Sequence, residues 1–220
     1  MFYKGKIIMK WVENGKADSV EFVCSDDRPN IFLIGDSIRR GYCATVKNSM
    51  VDKANVFYVN DNSRSTQYVI FNMKYWAEMF DDCEKVDVVH FNCGQWDAAH
   101  WNRYELSLTS ESEYAKNIKA IIHLLRGFFP NAKIVFATTT PMNPENESMS
   151  SINPRSNDEI NTYNRIAVKV AKEEGVAIND LHSFMENWGS ECFIDTCHLT
   201  PEAFKCLGEE VARWLGEFVS

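Results

Sequence analysis

Residues 31–34, Ile-Phe-Leu-Ile, form an unbroken apolar run, the pattern of a strand buried on both faces. Gly35-Asp36-Ser37 ends the run, and a glycine there lets the backbone turn sharply from strand into helix. Residues 37–50 then read as a helix. The alternation repeats along the chain. Strands are predicted at 55–60 (NVFYVN), 86–92 (VDVVHFN), 132–140 (AKIVFATTT) and, briefly, 176–179. A helix is predicted from Thr66 to about residue 80. Tyr114, Ile118, Ile121, Ile122 and Leu125 stripe the next helix, and Ile160, Tyr163, Ala167, Val170 and Ala171 the one after. Thr200 as cap and Pro201 at the first helical position open a last helix, whose apolar face is Phe204, Leu207, Val211, Trp214, Leu215 and Phe218. Strands alternating with helices imply an α/β fold with a parallel sheet covered on both faces. Ligands of such folds sit at the carboxyl ends of the strands.

Ahead of this core, residues 4–12 and 17–24 are β-prone and meet through Glu13-Asn14-Gly15-Lys16. Asn-Gly suits a tight hairpin turn, because both central residues take positive φ. A β-hairpin within residues 1–25 is therefore expected, appended to a core at 30–218 in one domain spanning 1–220. It would cover a sheet edge, shape the pocket or make a dimer contact, so a homodimer is among the expected states. Residues 142–157, rich in Asn and Ser, are expected to form a polar lid.

The net charge of -8 argues against a nucleic-acid partner. No apolar run approaches a membrane span or the core of a signal peptide, so a cytoplasmic protein is expected. Seven cysteines, an odd number with no C-x-x-C pair, read as reduced thiols. Adjacent Cys197 and His198 invite a zinc or cysteine-nucleophile reading. No second ligand pair at metal spacing accompanies them, so neither a metal nor any other cofactor is expected.

Ser37 would stand near a helix N-terminus, where unpaired N–H groups and the helix dipole favour negative charge. Taken alone, that serine is better explained as a helix cap, because Gly-Asp-Ser is a short and common tripeptide. The second stretch changes the weighing. Asp195 precedes His198 by three residues, on the loop entering the last helix. Such a carboxylate can hold one imidazole nitrogen and leave the other for a serine hydroxyl, the logic of nucleophile, base and orienting acid.

Together, Gly35-Asp36-Ser37 after the first core strand and Asp195-x-x-His198 before the last helix resemble the SGNH (GDSL-type) hydrolase family, over residues 30–218. The resemblance implies a three-layer α/β/α flavodoxin-like fold with a five-stranded parallel sheet. It also implies a serine esterase with Ser37, Asp195 and His198 as catalytic residues. Two inner blocks depart from the family pattern. Arg64 stands where a glycine usually gives an oxyanion-holding N–H, a departure a backbone donor tolerates. Gly94-Gln95-Trp96-Asp97 stands where Gly-x-Asn-Asp is usual, so the asparagine donor is replaced by Trp96. Asn92, at the end of the same strand, is the candidate substitute, with capping of the loop as its equal alternative, and the expected oxyanion donors are Ser37, Arg64 and Asn92. Asp36 is expected to fix its loop.

Trp96, His100, Trp101 and Tyr104 fall on the loop leaving the third strand, and Trp188 on the opposite approach. Flat rings around a polar cleft suit sugar faces, so Trp96, Trp101 and Trp188 are candidate substrate-binding residues. Burial against the core is their alternative use. The expected substrate is a small-molecule or glycan ester, an O-acetyl ester of carbohydrate foremost. A lysophospholipase or thioesterase of the same family and a catalytically inactive binding module are the competing readings.

Overall fold

A computed structural model describes residues 11–13, 16–18, 21–25, 27–146 and 152–219. The core opens with β3 (Asn30–Ile34) after a small hairpin of β1 (Trp11–Glu13) and β2 (Lys16–Asp18). It continues through α1 (Ser37–Ser49), β4 (Asn55–Tyr58), α2 (Thr66–Ala77), β5 (Val88–Asn92) and α3 (Glu111–Phe128). It ends with β6 (Lys133–Ala137), α4 (Asn157–Glu173), β7 (Ala177–Asn179), α5 (Leu181–Met185) and α6 (Pro201–Gly216). The five core strands are all parallel, in the order β4-β3-β5-β6-β7.

Period-two alternation explains the three layers. Ile31 and Leu33 face one apolar cluster, filled by Tyr42 and Val46 of α1 and Leu207, Val211 and Leu215 of α6. Phe32 and Ile34 face the other, filled by Met73 and Trp76 of α2, Ile118 and Ile122 of α3, and Ala167 of α4. All five residues of β3 are buried, as a central parallel strand requires. Trp76, Tyr42 and Tyr114 are among the largest wholly buried side chains.

The hairpin pairs Trp11 with Asp18 and Glu13 with Lys16, and forms its own two-stranded sheet. Its expected Asn14-Gly15 turn and residues 4–10 lie outside the described residues. Beyond it, the Phe22 N–H donates to the Met79 carbonyl and the Asp81 N–H to the Phe22 carbonyl, and the Phe22 ring packs on Phe32, Phe57 and Phe80.

Strand ends were over-extended in the sequence reading. β4 stops at Tyr58, because residues 59–65 leave the ladder to approach α1. β6 stops at Ala137, and Thr138, Thr139 and Thr140 bond to Asp180, Cys93 and Gln95 instead. Helix α5 was not anticipated. Its five residues are started by Asp180, whose side chain accepts from the Ser183 N–H. The loops after β3, β4, β5 and β6 all leave the carboxyl edge of the sheet, where the chemistry-bearing residues collect.

Candidate active site

Ser37 is the first residue of α1, directly after the turn that ends β3. The side chain of Asp36 caps that helix by accepting from the Ile38 N–H at 3.0 Å. Position 35 admits no side chain. A Cβ there would lie 1.9 Å from Asn92 Oδ1 and 2.7 Å from Arg39 Cβ, so glycine sets how closely β3 and β5 approach beneath the serine. Asp36 is wholly buried, and burial raises its pKa against the opposing pull of its Asn92 hydrogen bond. That places Asp36 in the loop's frame, as expected.

The loop entering α6 supplies the other two groups. Asp195 Oδ1 accepts from the N–H groups of Cys197 at 2.8 Å and His198 at 2.7 Å, a tight turn that leaves Oδ2 for the imidazole. His198 Nδ1 lies 2.7 Å from Asp195 Oδ2, and Nε2 lies 2.8 Å from Ser37 Oγ. Residues 161 positions apart therefore meet at hydrogen-bond distance. Asn143 holds this loop from behind. Its N–H donates to the Thr196 carbonyl at 2.9 Å, its Nδ2 to the Asp195 carbonyl at 3.2 Å, and its Oδ1 accepts from Ser190.

Charge is distributed as such a set requires. Partial burial pushes the Asp195 carboxyl up, but the N–H groups of Cys197 and His198, with the imidazole, outweigh it and the net direction is down. His198 is pushed from 6.5 to about 9: the Cys197 sulfur, 3.8 Å from Nδ1, contributes most, burial opposes it, and Asp195 adds to the rise. A hydroxyl, an imidazole and a carboxylate in this chain of bonds can abstract the hydroxyl proton and steady the resulting imidazolium.

The loop after β4 packs against the serine's turn. Ser63 is buried against the serine's turn, its N–H donating to the Gly35 carbonyl and its Oγ accepting from the Gly35 N–H. Arg39, wholly buried, donates to the carbonyls of Gly35, Val59 and Asp61. From the other side Asp97 accepts from the Thr66 N–H and, at 2.6 Å, from its hydroxyl. Burial lifts the Asp97 carboxyl to about 6. Within this frame Arg64 has φ 51°, the left-handed region, which accounts for the glycine usual there. Its N–H is spent on Asn62 Oδ1 at 3.1 Å, and its guanidinium lies over the rings of Tyr68 and Trp96.

Ser37, Asp195 and His198 line a cavity of about 270 Å³ with Asn62, Trp96, Ala99, Trp101, Asn153, Arg155, Thr196 and Cys197. Trp96 and Trp101 meet edge to face with centroids 4.8 Å apart. The other two candidates are placed elsewhere. Asn92 is buried against Gly35 and Asp36 and is absent from the cavity wall. Trp188 packs against the α1–α6 cluster and meets Phe184, because α5 turns its approach onto the core. Gln95 is also committed, with Nε2 on the Thr140 carbonyl and Oε1 accepting from Arg155 Nε. His100 bonds Glu159 at 2.6 Å and fastens the loop after β5 to the start of α4. The described ends of the expected lid are pinned, Met142 to Asn157 and His100 to Pro154. Residues 147–151 lie outside the described residues.

Arg39, Asn62, Asn143, Arg155 and Cys197 were missed as site residues. Only Cys197 carried a signal, its adjacency to His198.

Serine first and the Asp–His pair last along the chain, with the serine at a strand end of a three-layer sheet, is the arrangement of an SGNH-type α/β/α hydrolase. The chain belongs to the GDSL-like lipase/acylhydrolase family, whose model matches residues 33–205. It is 27% identical over 213 residues to the GDSL esterase/lipase WDL1 of rice, covering 89% of this chain and 81% of that one. It is 30% identical over 115 residues to a GDSL esterase/lipase of Arabidopsis thaliana, a match spanning 48% of each, about half the length of that relative. Among solved structures, a lipase/acylhydrolase from Enterococcus faecalis shares the fold with TM-score 0.69 at 18% identity, over 87% of this chain and 97% of that one. A lipolytic G-D-S-L family member from Veillonella parvula matches at TM-score 0.61 and 17% identity, over 84% and 96%. Among the described residues, no helix is long and apolar enough to cross a membrane.

Proposed function

We propose that this protein is a serine esterase that hydrolyses small O-acyl esters, acetyl esters of carbohydrate foremost, by two-step acyl transfer. The observation that carries the reading is the unbroken chain of bonds Asp195–His198–Ser37 at the wall of the cavity. His198 Nε2 takes the proton of Ser37 Oγ as the oxygen attacks the ester carbonyl. The oxyanion is held by N–H groups at the start of α1, Ser37 first, and by that of Arg64 once Asn62 yields it to the substrate. His198 then protonates the departing alcohol oxygen. A water, deprotonated by the same nitrogen, attacks the acyl-serine, and the carboxylic acid leaves as Ser37 recovers its proton. Asp195 steadies the imidazolium throughout. With Asn92 buried against Asp36, Asn62 is the better side-chain donor: it is an amide on the cavity wall, in the same loop as the Arg64 N–H.

The modest cavity supports a short acyl group, and two tryptophan rings beside Asn62, Asn153 and Arg155 support a sugar. One observation favours the lipid-directed reading instead. Tyr104 is 61% exposed, Leu106 61%, Ile152 65% and Ile194 67%, all on loops bordering the cavity or the Asp195 turn. A p-nitrophenyl ester series and a panel of acetylated sugars separate the two. Preference for acyl chains of about eight carbons or more favours lipid. Ser37→Ala is expected to remove nearly all turnover while keeping the fold, and a fluorophosphonate is expected to label Ser37 alone. A protein inert to short esters and unlabelled would be a binding module.

A further inference from the structure

We propose that the turn carrying Asp195 and His198 is also a site for a Zn²⁺ ion, held by Asp195 Oδ2, Cys197 Sγ and His198 Nδ1, and that the ion switches the esterase off. The donor atoms all lie within 4.8 Å of one another. Sγ is 3.8 Å from Nδ1, and Nδ1 is 2.7 Å from Oδ2. A tetrahedral zinc ion spaces such donors about 3.4–3.6 Å apart. The sulfur therefore closes in slightly and the carboxylate oxygen backs away. Asp195 is free to do so because its side chain is 48% exposed. Its Oδ1 keeps the turn in shape through the N–H groups of Cys197 and His198. All three residues line the cavity, so a water there completes the tetrahedron. Arg155 Nη2, 3.3 Å from Sγ, remains as a donor to the metal-bound thiolate, while its charge keeps the site weaker than a structural zinc site. One thiolate, one imidazole and one carboxylate select zinc over the hard cations Mg²⁺ and Ca²⁺.

Switching follows from which nitrogen the ion occupies. The base needs its proton on Nδ1 and a lone pair on Nε2. Zinc takes the Nδ1 lone pair, so the neutral ring carries its proton on Nε2, facing Ser37 Oγ at 2.8 Å, and cannot accept the serine's. A neutral imidazole keeps one proton in both states, relocated through solvent from Nδ1 to Nε2; an imidazolium gives its second proton to solvent as the ion binds, and the Cys197 thiol gives up its own. The switching half of this proposal rests on the serine mechanism above; the binding half does not.

The test uses the full chain freed of metal with EDTA. Zn²⁺ is followed by calorimetry and by turnover of p-nitrophenyl acetate, and Co²⁺ serves as a spectroscopic probe. We expect one Zn²⁺ per chain, at least a roughly tenfold fall in turnover reversed by EDTA, a thiolate-to-cobalt absorption band, and no effect of Mg²⁺ or Ca²⁺. Cys197→Ser is expected to lose the band and weaken zinc binding roughly 10- to 100-fold, while Cys206→Ser changes neither. No binding to the parent chain, or inhibition unchanged in Cys197→Ser, overturns the site. Binding with the cobalt band but undiminished turnover overturns the switch. An enzyme already inert before zinc counts against the proposed esterase, and the absorption band still decides the site.

Discussion

Arg39 bears the heaviest load per side chain near the proposed nucleophile, and its replacement by methionine gives a sharp test. The guanidinium is wholly buried and reaches the carbonyls of Gly35, Val59 and Asp61. Gly35 retains the Ser63 N–H as a second donor, so Arg39→Met deprives chiefly Val59 and Asp61. An orphaned buried carbonyl costs about 1–3 kcal/mol, hence roughly 2–6 kcal/mol for the pair. Methionine fills most of the volume, and no longer burying a charge returns part of the loss, which leaves a net destabilisation of about 2–4 kcal/mol. For a chain of this size that lowers Tm by roughly 5–15 °C. The deprived carbonyls begin the loop that carries Asn62 and the Arg64 N–H. Slackening it is expected to lower kcat about 10- to 100-fold with KM little changed, because those donors act mainly on the transition state. Arg39→Lys, with a charge but no fork, is expected to recover part of both losses. Thermal unfolding and steady-state kinetics on p-nitrophenyl acetate, at a temperature where both variants are folded, measure the two effects. Parental Tm and parental kcat in Arg39→Met would refute the reasoning. A lowered Tm with parental kcat would reduce Arg39 to a purely stabilising residue.

Because the base must be neutral, kcat/KM is expected to climb as pH rises from 6.5 toward about 9, the His198 value; a plateau already reached at 6.5 would contradict it. The stability linkage runs the other way. A folded-state pKa raised above 6.5 contributes stability that is complete below that pH and lost as pH passes about 9, so denaturation midpoints measured across that window are expected to fall. Trp101→Ala is expected to raise KM for an acetylated oligosaccharide while sparing p-nitrophenyl acetate turnover; equal losses on both, with a lowered Tm, would assign the ring to packing. Arg64→Gly keeps the backbone donor and relieves a φ of 51°, so it is expected to retain kcat within about threefold and gain up to about 1 kcal/mol in stability. A collapse of kcat would show that the guanidinium itself takes part.

What the residues revealed in advance depended on range. The run at 31–34 reads as a buried parallel strand because both of its faces need apolar groups, and the structure buries both. Asp195 and His198 are legible because one short turn places them, and Ser37 because a glycine turn and a helix start mark it locally. Arg39 offered no such mark. An arginine two residues after a serine on a helix reads as surface, and only the carbonyls arriving from β4 make it a core residue. Asn143 is likewise meaningful only beside residues 195 and 196. The strand-end position of Asn92 allows either an oxyanion donor or a cap for the loop, because strand direction alone does not say whether a side chain meets the cavity or is buried away from it. Trp188 was hard to place for a related reason: α5 was unforeseen, and it turns that ring onto the α1–α6 cluster.

The missing family asparagine at position 96 then has a physical context. Asp97 follows it and clamps Thr66 at the head of α2, while Arg39 and Ser63 clamp the other end of the same loop to the turn before Ser37. A loop held at both ends presents its backbone N–H groups in a fixed direction without help from a side chain reaching across from β5. The segment 94–97 keeps the features that hold it in place. Gly94 has φ 149°, and a Cβ there would lie 2.2 Å from Thr139 Oγ1, so the close contact with the end of β6 excludes a side chain. Position 96, alone in the segment, lines the cavity, where its ring meets Trp101 and the Arg64 guanidinium. It is therefore where an aromatic wall can replace a hydrogen-bond donor. The proposed trade is one side-chain oxyanion contact, worth roughly 3 kcal/mol in the transition state, for a ring against the substrate. Trp96→Asn tests it directly. The exchange is expected to raise kcat on p-nitrophenyl acetate while raising KM for a glycan ester. A variant that loses kcat on both substrates would mean that the tryptophan, not the clamped loop, holds this site in shape.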